Sequence, residues 1–378
     1  MDIKVLHILM TDYRIDSRVR NETYSLSNSG FDVTVLCMNG RDLPKSEIRE
    51  GVKIKRFGIS SIKIIQFISS YIGMFFYSLR EKNSVVHAHD LTSLPIAFFI
   101  SLFTMSKLVY DSHELWSESH HKKHPRVLIY LMEVFERCFG GRCDAVISVS
   151  DGISEYLQSY LKVPDVVTIR NIPSYTQRGN YDLFRSLLPI SDDRKVFLYQ
   201  GLISETRGVN VLFDAALKLS ERNDVAFIFM GDGPFVSKMQ DRLKEIKNKQ
   251  SIFYLPPVSQ DELLKYTISA DVGIHAIRNT CKNHDLCLPN KIFEYISASL
   301  PVIVADLEEM SKLVNKYEIG LCFEDSNVDS LVECVKDLLN NSNKMNTLKF
   351  NVQELRKTLN WDNESKVLLD LYSRLHSV

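Results

Sequence analysis

The feature that most constrains this chain is an alternation of short apolar runs with amphipathic stretches, kept up from end to end and broken once. Apolar runs of strand length fall at 3–9, 31–37, 52–57, 85–89, 107–111, 145–149 and 166–169, with helical patterns between several of them, as at 18–27 and 127–139. A strand buried on both faces reads as a continuous apolar run, and a strand–helix–strand order leads to a parallel sheet flanked by helices. The order breaks at Arg170-Asn171-Ile172-Pro173 and a polar stretch containing Gln177, Arg178, Gly179 and Asn180. It restarts with runs at 196–199, 225–230, 252–255, 272–276, 302–305 and 321–323. With 378 residues the chain is long enough for two α/β domains. The expected fold is therefore α/β, with doubly wound, Rossmann-like parallel-sheet domains at 1–173 and 174–358. The remainder, 359–378, reads as a helix with Val367, Leu368, Leu371 and Leu375 on one face and Asp362 or Asn363 able to cap it.

Composition excludes several classes. Hydrophobic residues make up 45% and charged residues 25%, enough for a buried core in each half without disulfides or metals. The 46 basic and 47 acidic residues leave a net charge of −1, without the basic excess of a general nucleic-acid binder. The seven cysteines contain no Cys-x-x-Cys pair, so neither a zinc ribbon nor a disulfide framework is expected, and a reducing, cytoplasmic compartment fits. The opening Met1-Asp2-Ile3-Lys4-Val5-Leu6 reads as a first strand rather than a signal peptide. Two apolar stretches, 62–79 and 94–108, are interrupted by polar residues and make poor membrane spans. In the first, Ile64, Ile65, Ile68, Tyr71, Ile72, Phe75, Phe76 and Leu79 form a wide stripe at helical spacing. A helix packed on a sheet is expected there, with contact to a membrane surface as the alternative.

Several segments could carry chemistry. Tyr199-Gln200-Gly201-Leu202-Ile203-Ser204-Glu205-Thr206-Arg207-Gly208 follows a strand and opens a helix at 209–219. Gly201 permits a sharp turn, and an Arg beside a helix N-terminus suits a diphosphate. Gly231-Asp232-Gly233 is close to a dinucleotide fingerprint, but Val236 stands where its third Gly or Ala belongs and the run at 252–255 lacks a terminal acid. A tight turn near a nucleotide is preferred there to a nicotinamide site. In Pro289-Asn290-Lys291-Ile292-Phe293-Glu294-Tyr295 a helix starts at Pro289 or Asn290, and Glu294 lies one turn in, placed to accept ribose hydroxyls. His87 and His89 are two apart and share a strand face. A metal would need a third ligand, and Ser117 occupies the place of the second His of a zinc helix after His113-Glu114. His89 is therefore read as a hydrogen-bonding group facing a ligand, and His87 as structural. Asp16 and Arg18 in the first loop, and Asp111, His113 and Glu114 after another strand, form either a solvated network or a polar site.

Together these segments resemble the retaining glycosyltransferases of family four, whose two Rossmann-like domains face a central cleft in the fold called GT-B. Asp16-Ser17-Arg18-Val19, Gly30-Phe31-Asp32-Val33-Thr34-Val35, Tyr110-Asp111-Ser112-His113-Glu114 and the Pro-Asn-Lys-Ile-Phe-Glu-Tyr run carry the likeness, which covers nearly the whole chain. The resemblance implies a nucleotide sugar as substrate, no cofactor and no metal. It implies a donor held by Gly201, Ser204, Arg207, Gly231, Asp232, Pro257, Val258, Pro289, Asn290, Lys291 and Glu294. Catalytic roles fall to His89 and Arg207, and Asp16, Arg18, Asp111, His113 and Glu114 go to the acceptor or cleft. The acceptor is then a glycan or a lipid-linked hydroxyl, the leaving phosphate takes its proton, and the final helix returns to the first domain. The implied place is the cytoplasm, at the inner face of a membrane. Leu202 stands where many members carry a second phosphate-binding Arg, and Leu286 where they carry a first Glu, with His284 and Asp285 adjacent. Two other readings keep the nucleotide sugar: an epimerase of the same fold, using His87, His89 and Glu114, and a non-catalytic binding subunit.

Overall fold

The computed structural model describes residues 3–40, 43–58, 62–120, 125–176, 179–245 and 251–376; Gln177 and Arg178 of the polar stretch lie outside them. The chain divides into two compact units, Met1–Asn171 with Asp362–Val378, and Ile172–Trp361. In the first, β1 (Lys4–Leu9), β2 (Asp32–Met38), β3 (Ser46–Arg49), β4 (Val52–Phe57), β5 (Val85–His89), β6 (Lys107–Ser112), β7 (Ala145–Ser148) and β8 (Val167–Thr168) form one sheet in the order β3-β4-β2-β1-β5-β6-β7-β8. Every pairing is parallel except that of β3 with β4. The apolar runs announce the buried strands. They do not announce β3, whose Ser-Glu-Ile-Arg sequence lies largely exposed at the sheet edge.

The second unit is a six-stranded, wholly parallel sheet: β9 (Lys195–Leu202), β10 (Val225–Asp232), β11 (Ile252–Leu255), β12 (Val272–His275), β13 (Val302–Ala305) and β14 (Gly320–Phe323), in the order β11-β10-β9-β12-β13-β14. The strand order reverses between β9 and β12. In an open α/β sheet that reversal places a ligand at the carboxyl ends of the flanking strands. Helices cover both faces, and Phe197, Phe213, Phe227, Phe229, Phe293 and Tyr295 are buried among the aliphatic side chains beneath them.

One element departs from expectation. The helix Lys63–Ser78 does form, but it buries Ser70, Met74 and Ser78 and leaves Ile64 72%, Ile68 54%, Ile72 54% and Phe76 59% exposed. The expectation that the apolar stripe packs on the sheet is overturned. The small face lies inward because it can approach closely: a Cβ built on Gly73 would come 2.7 Å from Phe57. Ser70 Oγ donates to the Phe57 carbonyl at 3.0 Å, and Gln66 Nε2 donates to that of Asn39 at 2.6 Å.

The first unit is tied by a buried ion cluster. Asp16 caps the helix Ser17–Asn28 by accepting from Val19 N, so Arg18 sits in its first turn and points inward. Arg18 Nε and Nη2 grip the Asp111 carboxylate at 2.8 and 2.7 Å, and Nη1 donates to the Ile169 carbonyl at 2.6 Å. Arg18 and Asp111 were expected at an accessible cleft, and both are buried. A fork-shaped cation and a carboxylate can leave water together because each satisfies the other. Burial pushes the Asp111 carboxyl upward, but the charges of Arg18 and His113 hold it well below the usual carboxylate range. Its stabilisation is therefore present above the unfolded value of about 4 and is lost as pH falls through the lower folded value. We predict that Asp111→Ala lowers the unfolding free energy of this unit by about 3–5 kcal/mol at neutral pH, by leaving Arg18 buried and unpaired. Urea unfolding followed at neutral and acid pH measures this. A loss below about 1 kcal/mol would show that the pair is incidental.

Candidate functional site

In the second unit the carboxyl ends of β9 and β10 run side by side, with Gly201 opposite Gly231 and Leu202 opposite Asp232. At Gly231, where φ is +148°, a Cβ would lie 1.9 Å from the Gly201 carbonyl oxygen, so only glycine allows the two strand ends to pass. Beside them is a cavity of about 330 Å³, lined by Gln200, Gly201, Leu202, Met230, Gly231, Asp232, Pro257, Val258, Leu263 and Lys291. It brings together six of the expected donor residues. Asp232 is partly engaged in its own turn, accepting from Gly233 N at 2.7 Å, and Leu202 stands half exposed on the lining.

Glu294 joins this cavity through its neighbours. It lies on the helix Asn290–Ser297, which Pro289 precedes as N-cap. One carboxylate oxygen accepts from Gln200 Nε2 at 2.5 Å, and the other is 3.0 Å from Lys291 Nζ. Gln200 in turn accepts from Thr267 Oγ1 at 2.8 Å. The Tyr295 hydroxyl accepts from Gln200 N at 3.2 Å and lies 3.3 Å from the carbonyls of Leu198 and Ile274, which fixes the helix to β9 and β12. Gln200, Thr267 and Tyr295 were not identified as site residues from the sequence. Gln200 and Tyr295 sit inside motifs that were, but the partners are 21 to 97 positions apart and no linear signal joins them.

Arg207 closes a single 3-10 turn, Glu205–Arg207, after β9. Gly208 follows with φ +70° and launches the helix Val209–Lys218; a Cβ on it would meet the Ala276 carbonyl oxygen at 1.6 Å. Among the described residues Arg207 has no carboxylate within ion-pair distance, whereas Lys291 is paired with Glu294. His275, at the end of β12, is buried, and neither ring nitrogen has a hydrogen-bond partner. Burial first, then the positive charges of Arg207 and Lys291, lower its pKa to about 3. This neutral imidazole in the field of two cations also went unread in the sequence. Ser204 is buried and shares a hydrogen bond with Thr206 at 3.0 Å, while Asn290 is exposed. Leu286 is a core residue, Asp285 accepts from Glu308 N at 3.2 Å, and His284 Nδ1 lies 2.9 Å from the Arg278 carbonyl. The side chains beside the missing first Glu thus serve local structure.

In the first unit, His7, His87 and His89 form a buried stack, with ring centroids 4.4–5.1 Å apart. His7 and His87 face each other in register across β1 and β5, and His87 Nδ1 is 2.7 Å from the Tyr372 hydroxyl of the final helix. His89 was expected to face a ligand directly. Instead it is fully buried, 2.8 Å from His7 and 3.2 Å from His113. His113 is the partly exposed member, 17% by side chain, with Asp90, Asp111 and Asp16 at 3.4, 3.0 and 4.0 Å. Burial opposes charge on His113, but Asp90 and Asp111 outweigh it and push its pKa up to about 10. Glu114, next along, is half-buried. Burial lowers the pKa values of His7, His87 and His89, leaving them neutral.

His7, Glu22, His87 and His89 offer ligand atoms all within 4.8 Å of one another, which supplies the further metal ligands that the sequence did not reveal. A divalent ion there would enter beside the Arg18 guanidinium, 3.1 Å from Glu22. Burial raises the Glu22 pKa above the usual carboxylate range, against the pull of the Arg18 charge. The group is a buried polar cluster of three imidazoles and one carboxyl beside the fixed charge of Arg18.

Residues 17–172 match the family described as Glycosyltransferase Family 4, and residues 181–355 match Glycosyl transferases group 1. An uncharacterized glycosyltransferase of Methanocaldococcus jannaschii is 22% identical over 92% of this chain and 90% of its own length. The alpha-monoglucosyldiacylglycerol synthase of Streptococcus pneumoniae is 21% identical over 82% of this chain and 71% of its own. Among solved structures, the sucrose-phosphate synthase of Thermosynechococcus elongatus superposes with a TM-score of 0.83 at 14% identity, covering 99% of both chains. HepE of Anabaena in complex with UDP superposes with a TM-score of 0.77 at 14% identity, covering 98% of this chain and 100% of that one. With both halves of the chain matched in order and the paired parallel sheets shared with these structures, the chain belongs to the group 1/family 4 glycosyltransferases.

Proposed function

We propose that the chain moves a sugar from a nucleoside-diphosphate sugar to a hydroxyl of a glycan or lipid-linked acceptor, with retention at the anomeric carbon and without a metal ion. The observation that carries this reading is Arg207, which follows β9 and has no carboxylate within ion-pair distance among the described residues, while Lys291 beside the same cavity is balanced by Glu294 and the buried His275 between their fields stays neutral. Such a site calls for an anion, and the departing diphosphate is the anion that gains charge during transfer. Amide groups at the start of the helix Val209–Lys218 add to the field. Glu294 keeps acceptor capacity for two ribose hydroxyls, because Gln200 and Lys291 occupy only part of its lone pairs. HepE has been solved with UDP and with UDP-glucose, and relatives include a chitobiosyldiphosphodolichol beta-mannosyltransferase of Candida albicans, 24% identical over 61% of this chain. These support a nucleoside-diphosphate donor and a lipid-linked acceptor. On this reading the acceptor belongs to the first unit, with His113 and Glu114 presented to it and His89 acting through His113. Its place is the cytoplasm.

Transfer by the purified chain decides against the binding-subunit reading, and the anomeric configuration of the first product, followed by NMR, decides retention. We predict that Arg207→Ala lowers turnover by about two to three orders of magnitude with the fold intact, the scale of one strong transition-state contact. The same assay run with EDTA should keep its rate; a loss restored by magnesium or manganese would overturn the metal-free reading. For Glu294→Ala, calorimetry with UDP should show binding weakened by about 1.5–3 kcal/mol. Gln200→Ala, which frees the carboxylate from its donor, should weaken UDP in the same direction by less. Unchanged affinity in Glu294→Ala would mean that the carboxylate serves only its own helix.

A further inference from the structure

The outward stripe of the helix Lys63–Ser78 does not stand alone. Phe75 meets Phe103 of the helix Asp90–Thr104 with ring centroids 5.7 Å apart, and Phe99 meets Phe139 of the helix Arg126–Gly140 at 6.0 Å. Through these contacts three helices expose one continuous apolar face. Phe99 is 46% exposed, Phe103 64% and Met105 94%, and Val127, Tyr130 and Leu131 of the third helix are exposed as well. A groove of about 360 Å³ runs between the first two helices, lined by Tyr71, Ile72, Phe75, Phe76, Phe99 and Phe103 together with Pro95 and Ile96. Water-soluble surfaces rarely carry so large an apolar patch without an occupant.

Charge identifies the occupant. Lys63, Arg80, Lys82, Arg126, Arg137 and Arg142 are exposed on the same segments, in the end turns of the helices that carry the patch or just beyond them, Arg137 also lying over the Tyr160 ring at 4.6 Å. The acids on these segments are Glu81, 3.6 Å from Lys4, and Glu133; Glu136 is buried against the Tyr110 hydroxyl at 2.7 Å, Asp90 lies 3.4 Å from His113, and Asp144 is paired with Lys107 at 3.1 Å. A second copy of the chain would bring the same positive rim against itself. An anionic bilayer offers the opposite sign and an apolar interior, and helices can lie on it because their backbone groups are satisfied internally. Among the described residues no helix is long and apolar enough to cross a membrane. We propose that this three-helix face rests on an anionic phospholipid surface, with Ile64, Ile68, Ile72 and Phe76 in the acyl boundary and the six cations among the headgroups. The inference does not depend on the transfer chemistry, because the patch shares no residue with the nucleotide cavity.

Co-sedimentation of the full chain with phosphatidylcholine vesicles, with and without phosphatidylglycerol, tests it. Binding should be roughly tenfold or more tighter with phosphatidylglycerol present and should weaken as salt rises. The double substitution Ile68→Glu with Phe76→Glu should reduce it about tenfold or more, while Tm and UDP affinity stay unchanged. A charge variant that leaves the apolar face intact, Lys63→Gln with Arg80→Gln and Arg126→Gln, should lose most of the preference for anionic vesicles, a drop of about tenfold or more. Three results would overturn the proposal. One is no binding to either vesicle, and another is equal binding to both. The third is a concentration-dependent dimer in sedimentation velocity that the double Glu variant abolishes. Retained UDP binding alongside any of these would leave the transferase reading standing.

Discussion

The hydroxyl of Tyr295 is the point on which the second unit's site depends. It meets the backbone of β9 and of β12 at the place where the strand order reverses, and so fixes the helix that carries Lys291 and Glu294. At a reversal the connections leaving two neighbouring strands run to opposite faces of the sheet, which is what opens a crevice beyond their carboxyl ends. A buried phenol bonded to both strands fixes the helix against the crevice floor. The neighbouring Thr267–Gln200–Glu294–Lys291 chain then has a fixed base, and each member leaves a directed group rather than a wandering one. Loosening that hydroxyl would move the carboxylate and the ammonium together.

The first unit solves a different problem with the same means. Its sheet end collects Arg18, Glu22, three neutral imidazoles and Asp111 in the interior, with a charged, partly exposed His113 at its rim. Burial would neutralise most of these groups. The bidentate Arg18–Asp111 pair keeps two of them ionised, and Asp111 in turn holds the proton on His113. Charge is handed outward from a buried cation to a partly exposed imidazolium.

Much of this was legible in the sequence. Buried strands declare themselves as apolar runs, and the break near residue 172 marks where the second series begins. The glycines at 201 and 231 and the helix at Pro289 were readable because each answers a local steric demand. What escaped were relations that linear spacing does not encode. Periodicity locates an apolar stripe at 64–79 but says nothing of its direction, and the serines and Gly73 on the opposite face decided that. Alternation gives His89 its face of the strand but not its depth, and the exposed position falls to His113 on the adjacent strand's extension. Gln200, Thr267 and His7 act through partners far away in the chain, His275 is set apart by its burial alone, and β3 was hidden by its polar composition.

The inverted helix Lys63–Ser78 separates two demands that a core helix must satisfy at once. Its inner face of serine, glycine and methionine is what the fold requires of it. The isoleucines and phenylalanines outside contribute little to the stability of the unit, since they remain largely in contact with solvent. The outer stripe is therefore free to vary without unfolding the protein. Its hydrophobicity is adjustable independently of folding, a dial that substitution can turn by single side chains while the sheet beneath stays the same.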